Sequence, residues 1–422
     1  MINGANPSTL GLTEEEISGF CSGINDSSSV VGVLDNLQER KNNAENGGVN
    51  CIPLPFERFR AEVPGIEQGQ YVIITANQKS GKSQLANYIY LFHALDYAFE
   101  NPDKCSVHVI YFALEEAIQK IIERYMCYLL YKLDGYRISP TDLRSTSSDY
   151  IIEQDILDLF KTKRYQERLE FFEKCVQFET EDTNPTGILR VCEAYAKSVG
   201  KYSSHKIESR GNSFKEIDVF DSYEQDDPNH YKIVIIDHIG LVDREQGFRI
   251  KDSVDKMSEY CVKYLRNRYK FTCVIIQQQA SESEGLEAIK QKKMLPTAAT
   301  LGDSKYTARD CDLAIGIFDP SKFGLPNWCG YKITDADGLG SLSNYGRFLY
   351  VIANRNGEMG GVCPLFFDGA VCNFEELPRP DDVNELTKYY MRIKNLKSYR
   401  QTRKLSALTS LLSLFSFKKH KN

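Results

Sequence analysis

The chain has 422 residues, 42% hydrophobic and 26% charged, the balance of a globular protein with one large domain or two ordinary ones. A net charge of −6 excludes a molecule that attracts nucleic acid over its whole surface, so any such binding must come from local basic loops. Twelve cysteines without CxxC pairs or histidines at ligand spacing argue against a disulfide frame or zinc site, and no apolar run reaches transmembrane length.

In chain order, residues 1–30 are rich in Ser, Asn and Gly and are expected to be loosely ordered. They carry no basic-then-apolar leader pattern, which with the reduced thiols points to a cytoplasmic protein. Val31, Leu34 and Leu37 recur at helical spacing. Two readings stand there: a short surface helix, or a linker helix whose apolar stripe docks on another subunit, because so short a helix is marginal alone. From Cys51 the core begins, and Pro64 to Gly69 form a turn into the apolar run Tyr71, Val72, Ile73, Ile74.

That run ends in Ala76-Asn77-Gln78-Lys79-Ser80-Gly81-Lys82-Ser83 and passes at once into a helix-like segment. The order is strand, phosphate loop, helix, with Ala76 where the generic GxxxxGK[ST] pattern has its first glycine. Backbone N–H groups of such a loop converge on phosphate oxygens, and Gly81 lets the chain approach closely. Lys82 reaches the outer phosphates, and the Ser83 hydroxyl is placed to ligate Mg²⁺. The predicted cofactors are ATP and Mg²⁺.

The stretch SVHVIYFALEE reads as a second buried strand ending in Glu115 and Glu116, followed by a helix over 117–133. A mixed helical region runs to about 170, then a short strand near Cys175 to Phe178 and a helix from Pro185 through Val199. Residues 201–230 are polar and read as a surface insertion loop. Further strands are expected over Tyr231–Asp237, Thr272–Gln277, Leu313–Phe318, Phe348–Ala353 and Val362–Phe367, with a helix over Ser253–Arg268. Strands alternating with helices imply an α/β fold with a central, mostly parallel sheet flanked by helices. The expected division is a flexible segment and linker helix over 1–50, an ATPase domain over 51–378, and a basic tail over 379–422. From Lys388 onward there are ten Lys and Arg and no acid. That tail reads as a solubilising extension, an amphipathic docking helix, a nucleic-acid tether or a weak membrane-surface contact.

Hydrolysis at a phosphate loop needs further groups at the strand ends lining the nucleotide crevice. Asp237 closes an apolar strand and is the candidate second Mg²⁺-side acid. Glu115 ends another and can orient or deprotonate the attacking water. Glu116 reads as a solvated acid at a helix N-terminus. Gln278 is placed to sense the γ-phosphate.

The order of these motifs resembles the DnaB-type replicative helicases (superfamily 4), hexameric ATPases with RecA-like cores. The segments that carry the likeness are PGIEQGQYVIITANQKSGKS, YFALEEAIQKIIERYMC, TNPTGILRVCEAYAKSVG, IVIIDHIGLV, VIIQQQ, TLGDSKYTARDCDLAIGIF and NRNGEMGGV. The resemblance implies that Ala76 is ordinary for the family and that Glu115 polarises water. It also implies that Arg355, in the RNG element, is an arginine finger reaching a neighbouring subunit. It further implies a hexamer that translocates on single-stranded DNA and unwinds duplex, with a helicase loader or primase as partners. Channel-facing loops would supply the DNA contacts, here Arg244, Arg249 and Lys251, then Lys290, Lys292 and Lys293. Taken alone, those residues read equally as solvated charge runs.

Two departures are plain. Ala353 stands where the family often has a lysine, and the N-terminal collar that binds primase has no counterpart in the fifty residues before the core. A collar-less version suits a phage or mobile-element replication protein acting in a bacterial host's cytoplasm. Two alternatives remain at this stage: a filament-forming recombination or repair ATPase of the RecA/RadA kind, and a nucleotide-gated assembly module that does not translocate.

Overall fold

The computed structural model describes residues 30–146, 150–209, 215–280, 285, 290, 294–302, 304–336 and 338–398. These residues fall into two compact units. The smaller is drawn from residues up to 50, 103–105 and 193–230, and the larger from the rest.

The larger unit is built on a nine-stranded sheet. Its strands are β1 (Tyr71–Ala76), β2 (Ser106–Ala113), β3 (Val176–Glu179), β4 (His230–Asp237), β5 (Thr272–Gln278), β6 (Leu313–Phe318), β7 (Gly346–Asn354), β8 (Val362–Asp368) and β9 (Asn373–Glu376). The spatial order is β9-β8-β7-β6-β1-β5-β4-β2-β3. β6, β1, β5 and β4 run parallel to their neighbours, and so do β2 and β3, whereas β7, β8 and β9 add an antiparallel flank. Every side chain of β1 is buried. A strand covered on both faces reads as a continuous apolar run, and YVIITA is one.

β1 sits centrally, so its carboxyl end opens onto the ends of β5 and β4. In register, Ala76 lies opposite Gln278 of β5, and Asp237 of β4 lies opposite Ile276. The helix after the loop starts at Lys82 and continues through a wider π-helical stretch, Asn87–His93, to Glu100. The helix Ile118–Asp134 ends at Gly135, which adopts the left-handed conformation (φ 73°) that favours glycine.

The structure differs from the sequence reading in two places. Residues expected as a surface loop form a two-stranded antiparallel ribbon, Gly200–Ser209 against Lys215–Gln225, in the smaller unit. The first part of the expected basic tail, residues 383–398, is helical, and its Leu386, Tyr390 and Ile393 pack into a core cluster with Phe348 and Phe366. Arg392 there pairs with Glu375 of β9 at 2.8 Å. Those apolar side chains recur at helical spacing, and burial of that one face wins over the net charge. The remaining tail, 399–422, lies outside the described residues. So do residues 1–29. No helix among the described residues is long and apolar enough to cross a membrane.

Candidate active site

The phosphate loop follows directly from β1. Past Ala76 the chain turns through Asn77 to Gly81, with Lys79 at φ 57° and Gly81 at φ 100°. Glycine is required at 81 on two counts. Its φ is left-handed, and a Cβ there would sit 3.2 Å from the Phe367 ring. The loop is clamped from behind by side chains distant in sequence. Arg347 Nε donates to the Ser80 carbonyl at 2.9 Å, and Lys322 Nζ donates to the Gln78 carbonyl at 2.9 Å. Arg347 is buried, pairs with Asp319 at 3.0 Å, and donates to the Asn344 and Gly346 carbonyls. Burial pulls its guanidinium pKa down, and Asp319 opposes that. A buried cation with this many acceptors fixes the loop's backbone before any ligand arrives.

In front of the loop the carboxylates gather. The Ser83 hydroxyl donates to Asp237 Oδ1 at 3.1 Å, and the Tyr111 hydroxyl donates to Oδ2 at 3.1 Å. Burial pushes the Asp237 pKa up to about 6; the Ser83 bond pulls it down, and the nearby Glu115 charge pushes it up. Lys82 Nζ lies 3.9 Å from Glu115 Oε2. The Leu114 and Glu115 N–H groups both donate to the Asp237 carbonyl, at 3.0 and 3.1 Å, which ties the ends of β2 and β4 together. His238 Nε2 is 3.8 Å from Glu115 Oε2 and 3.4 Å from Gln278 Nε2. Lys79, Gly81, Lys82, Ser83, Glu115 and Asp237 line a common cleft of about 450 Å³.

The structure therefore brings Lys82, Ser83, Glu115 and Asp237 around one opening, with Ala76, Asn77, Gln78, Lys79, Ser80 and Gly81 forming its floor and rim. Gln278 reaches it through His238. Glu116 differs from expectation. It is a half-buried partner of Arg124, bonded twice at 2.7 and 2.9 Å, and not a solvated acid. The helix Ile118–Asp134 sets Arg124 facing back across its own N-terminus, where the carboxylate sits. Sequence reasoning missed the Arg347 clamp and the Tyr111 and His238 contacts. Only the His beside Asp237 carried a signal, as a polar residue next to a strand-end acid.

Arg355 is elsewhere. It follows Asn354, which lies opposite Leu313, itself opposite Val72 of β1. Four residues of strand, roughly 13 Å, separate Val72 from Ala76. Arg355 Nη1 pairs with Asp312 at 3.3 Å, and Nη2 donates to the Arg309 and Asp310 carbonyls at 3.3 and 3.4 Å. Its side chain is 48% exposed and lines a separate open groove of about 1000 Å³ with Tyr260, Tyr264 and Tyr306.

Of the expected DNA-contacting residues, Arg244, Arg249, Lys251 and Lys290 are exposed, in or just beyond the segments that follow β4 and β5. The Lys251 amine lies 5.4 Å over the Tyr306 ring. Lys292 and Lys293 lie outside the described residues.

Whether this cleft suits a nucleoside triphosphate with Mg²⁺ is tested by its own polar atoms. The Ser80 hydroxyl and Gln84 Oε1 are buried at the loop without a hydrogen-bond partner. A buried hydroxyl left unpaired costs free energy, and a phosphate oxygen would satisfy it. The paired oxygens of Ser83 and Asp237 are the hard oxygen ligands that Mg²⁺ prefers. The residues fit.

No family model matches the sequence, and no curated protein matches it. The fold does match solved structures. One solved ATPase domain, of a DnaB-like helicase, superposes with a TM-score of 0.57 at 14% identity, covering 83% of this chain and 99% of that one. A DnaB-like replicative helicase, solved in a study of its interactions with primase, gives 0.55 at 14% identity, covering 86% and 71%. The chain thus has the RecA-like α/β fold of DnaB-like helicase ATPase domains.

Proposed function

We propose that the chain is an ATP hydrolase whose turnover drives a ring of its copies along single-stranded DNA, as a replicative helicase. One observation carries the reading: Lys82, Ser83, Asp237 and Glu115 surround one cleft at the carboxyl end of the sheet, while Arg355 stands exposed at the other end. Arg355 does not reach its own cleft, so its use in hydrolysis requires a second copy. In this reading the loop N–H groups and Lys82 hold the phosphates, and Ser83 and Asp237 ligate Mg²⁺. The bound ion supplies charge neutralisation at the phosphates. Glu115 orients a water and accepts its proton. Arg355 of a neighbouring copy would face the outer phosphate.

The helix Val30–Glu45 supports assembly, because Val30, Val33, Leu34 and Leu37 lie exposed along it. A second copy is the natural cover for that stripe. DNA contact is assigned to Arg249, Lys251, Lys290, Lys292 and Lys293, whose cations would track the strand backbone. A helicase loader or primase, and action in the cytoplasm, belong to the same proposal.

ATPase rate with and without single-stranded DNA, on material sized by light scattering, tests it. DNA-stimulated turnover by a closed oligomer is expected. Turnover indifferent to DNA would overturn the motor reading, and filaments would favour a recombinase. Replacing Lys290, Lys292 and Lys293 together with Ala should flatten the salt dependence of strand binding.

A further inference from the structure

We propose that His238 is a positioning residue for hydrolysis: its imidazole anchors the Glu115 carboxylate while Lys82 is engaged with phosphate. The inference rests on the reading of Glu115 as the group that orients water. Two groups approach that carboxylate, Lys82 Nζ at 3.9 Å and His238 Nε2 at 3.8 Å. In the proposed reaction Lys82 serves the outer phosphates, and the Glu115 side chain is 45% exposed, so it would swing free without a second anchor. The His238 side chain, 12% exposed, remains beside it.

The ring is oriented for that task by the backbone. His238 caps the short helix Ile239–Leu241, and its Nδ1 accepts the Gly240 N–H at 3.2 Å. A ring nitrogen that accepts a hydrogen bond carries no proton, so the neutral ring carries it on Nε2. Nε2 is the atom facing Glu115, and a carboxylate is an obligate acceptor. Gln278 Nε2 lies 3.4 Å from the same ring nitrogen. Turning that amide about its last torsion presents its oxygen to the same proton. One imidazole thus stands between the two strand-end groups that face the outer phosphate. The Leu114 and Glu115 N–H bonds to the Asp237 carbonyl keep the two backbones in step. The anchor and the group it holds therefore share one rigid frame.

A purely structural role, capping Gly240, is separable from positioning. His238→Asn keeps a side-chain oxygen able to accept the Gly240 N–H, since Asn is a good cap, but places nothing at Nε2. The expected result is a kcat lower by on the order of tenfold or more, the size of loss when a group that orients a site's ligand is removed. Affinity for a non-hydrolysable Mg-ATP analogue and the thermal midpoint should stay at wild-type values. Independently of turnover, ¹⁵N imidazole spectra of the wild-type protein should show the His238 ring protonated at Nε2, with its signals shifted by Glu115→Gln. Wild-type kcat in His238→Asn, or a ring protonated at Nδ1, would overturn the inference. If Glu115→Gln itself turns over normally, the parent reading falls with it. If Glu115→Gln is inactive and His238→Asn is not, only the positioning role of His238 falls.

Discussion

The two ends of the central sheet are built to opposite plans. At the carboxyl end, Lys82, Asp237 and Arg347 are all buried, and each is held by partners from other strands. At the amino end, Arg355 is half-exposed, tethered by one carboxylate and two carbonyls beside an open groove. The contrast teaches where each end's geometry is fixed. The phosphate loop is preorganised within one chain, which suits electrostatic stabilisation of a triphosphate. The Arg355 end presents a cation with nothing of its own to act on.

The most severe way to break the first end is Lys82→Ala, which removes the cation for the outer phosphates. Turnover measured by phosphate release should vanish, and wild-type rates would mean the cleft is misread. Glu115→Gln comes next. Hydrolysis should fall on the order of a hundredfold while a fluorescent Mg-ATP analogue still binds, because only water activation is lost. Its neighbour Glu116→Gln should spare chemistry and cost some stability through Arg124, so a swap of the two phenotypes would contradict the geometry.

A third pair sharpens the comparison through stability. Arg347→Met leaves Asp319 buried without its cation and should destabilise the chain by about 3–5 kcal/mol in urea unfolding. Arg355→Ala removes an exposed partner and should cost about 1 kcal/mol or less, although its activity is lost. Equal stability costs at the two ends would erase the distinction drawn here.

The smallest effect is in pH. The buried Asp237 carboxyl titrates at about 6, so protons and Mg²⁺ compete for it as pH falls through that value. Only the ionised form is a good ligand. The Mg²⁺ concentration for half-maximal turnover should rise between pH 7 and pH 5, and Asp237→Asn should remove that trend along with most activity. The same raised pKa has a definite sign for stability. The folded state binds the proton more tightly than the unfolded one, so ligand-free stability is fullest at low pH and declines as pH rises toward 6.

Much of this contrast was legible in the sequence, for physical reasons. β1, β2, β4 and β5 are covered on both faces, and such strands announce themselves as apolar runs with a polar residue where they end. Ser83, Glu115, Asp237 and Gln278 were readable as strand-end or loop chemistry on that basis. Arg347 was not, since it meets Ser80 across 267 residues of chain and no local pattern encodes that pairing. The ribbon Gly200–Ser209 with Lys215–Gln225 was missed because neither strand carries an apolar run. Its signal was weaker: alternation at Ile217 and Val219 and a turn-forming Gly211-Asn212 between the two segments. β9 (NFEE) is too short and acidic to read as a strand, and burial of its first half comes from pairing with β8. Helix 383–398 was masked by its charge, although Leu386, Tyr390 and Ile393 keep helical spacing.

The central claim is that the two ends of the sheet are halves of one hydrolytic site on different copies. Arg355→Ala and Glu115→Ala each leave one half intact, and each alone should be nearly inactive, since such fingers contribute on the order of 10³-fold or more. Co-expressed as mixed oligomers, some interfaces pair an intact Glu115 with an intact Arg355. Steady-state ATPase of those mixtures is the decisive measurement, with subunit mixing verified by two affinity tags. The account predicts turnover restored to the fraction of interfaces set by random assembly. Mixed oligomers that stay as inactive as either variant alone would contradict it, and Arg355 would have no role across the boundary.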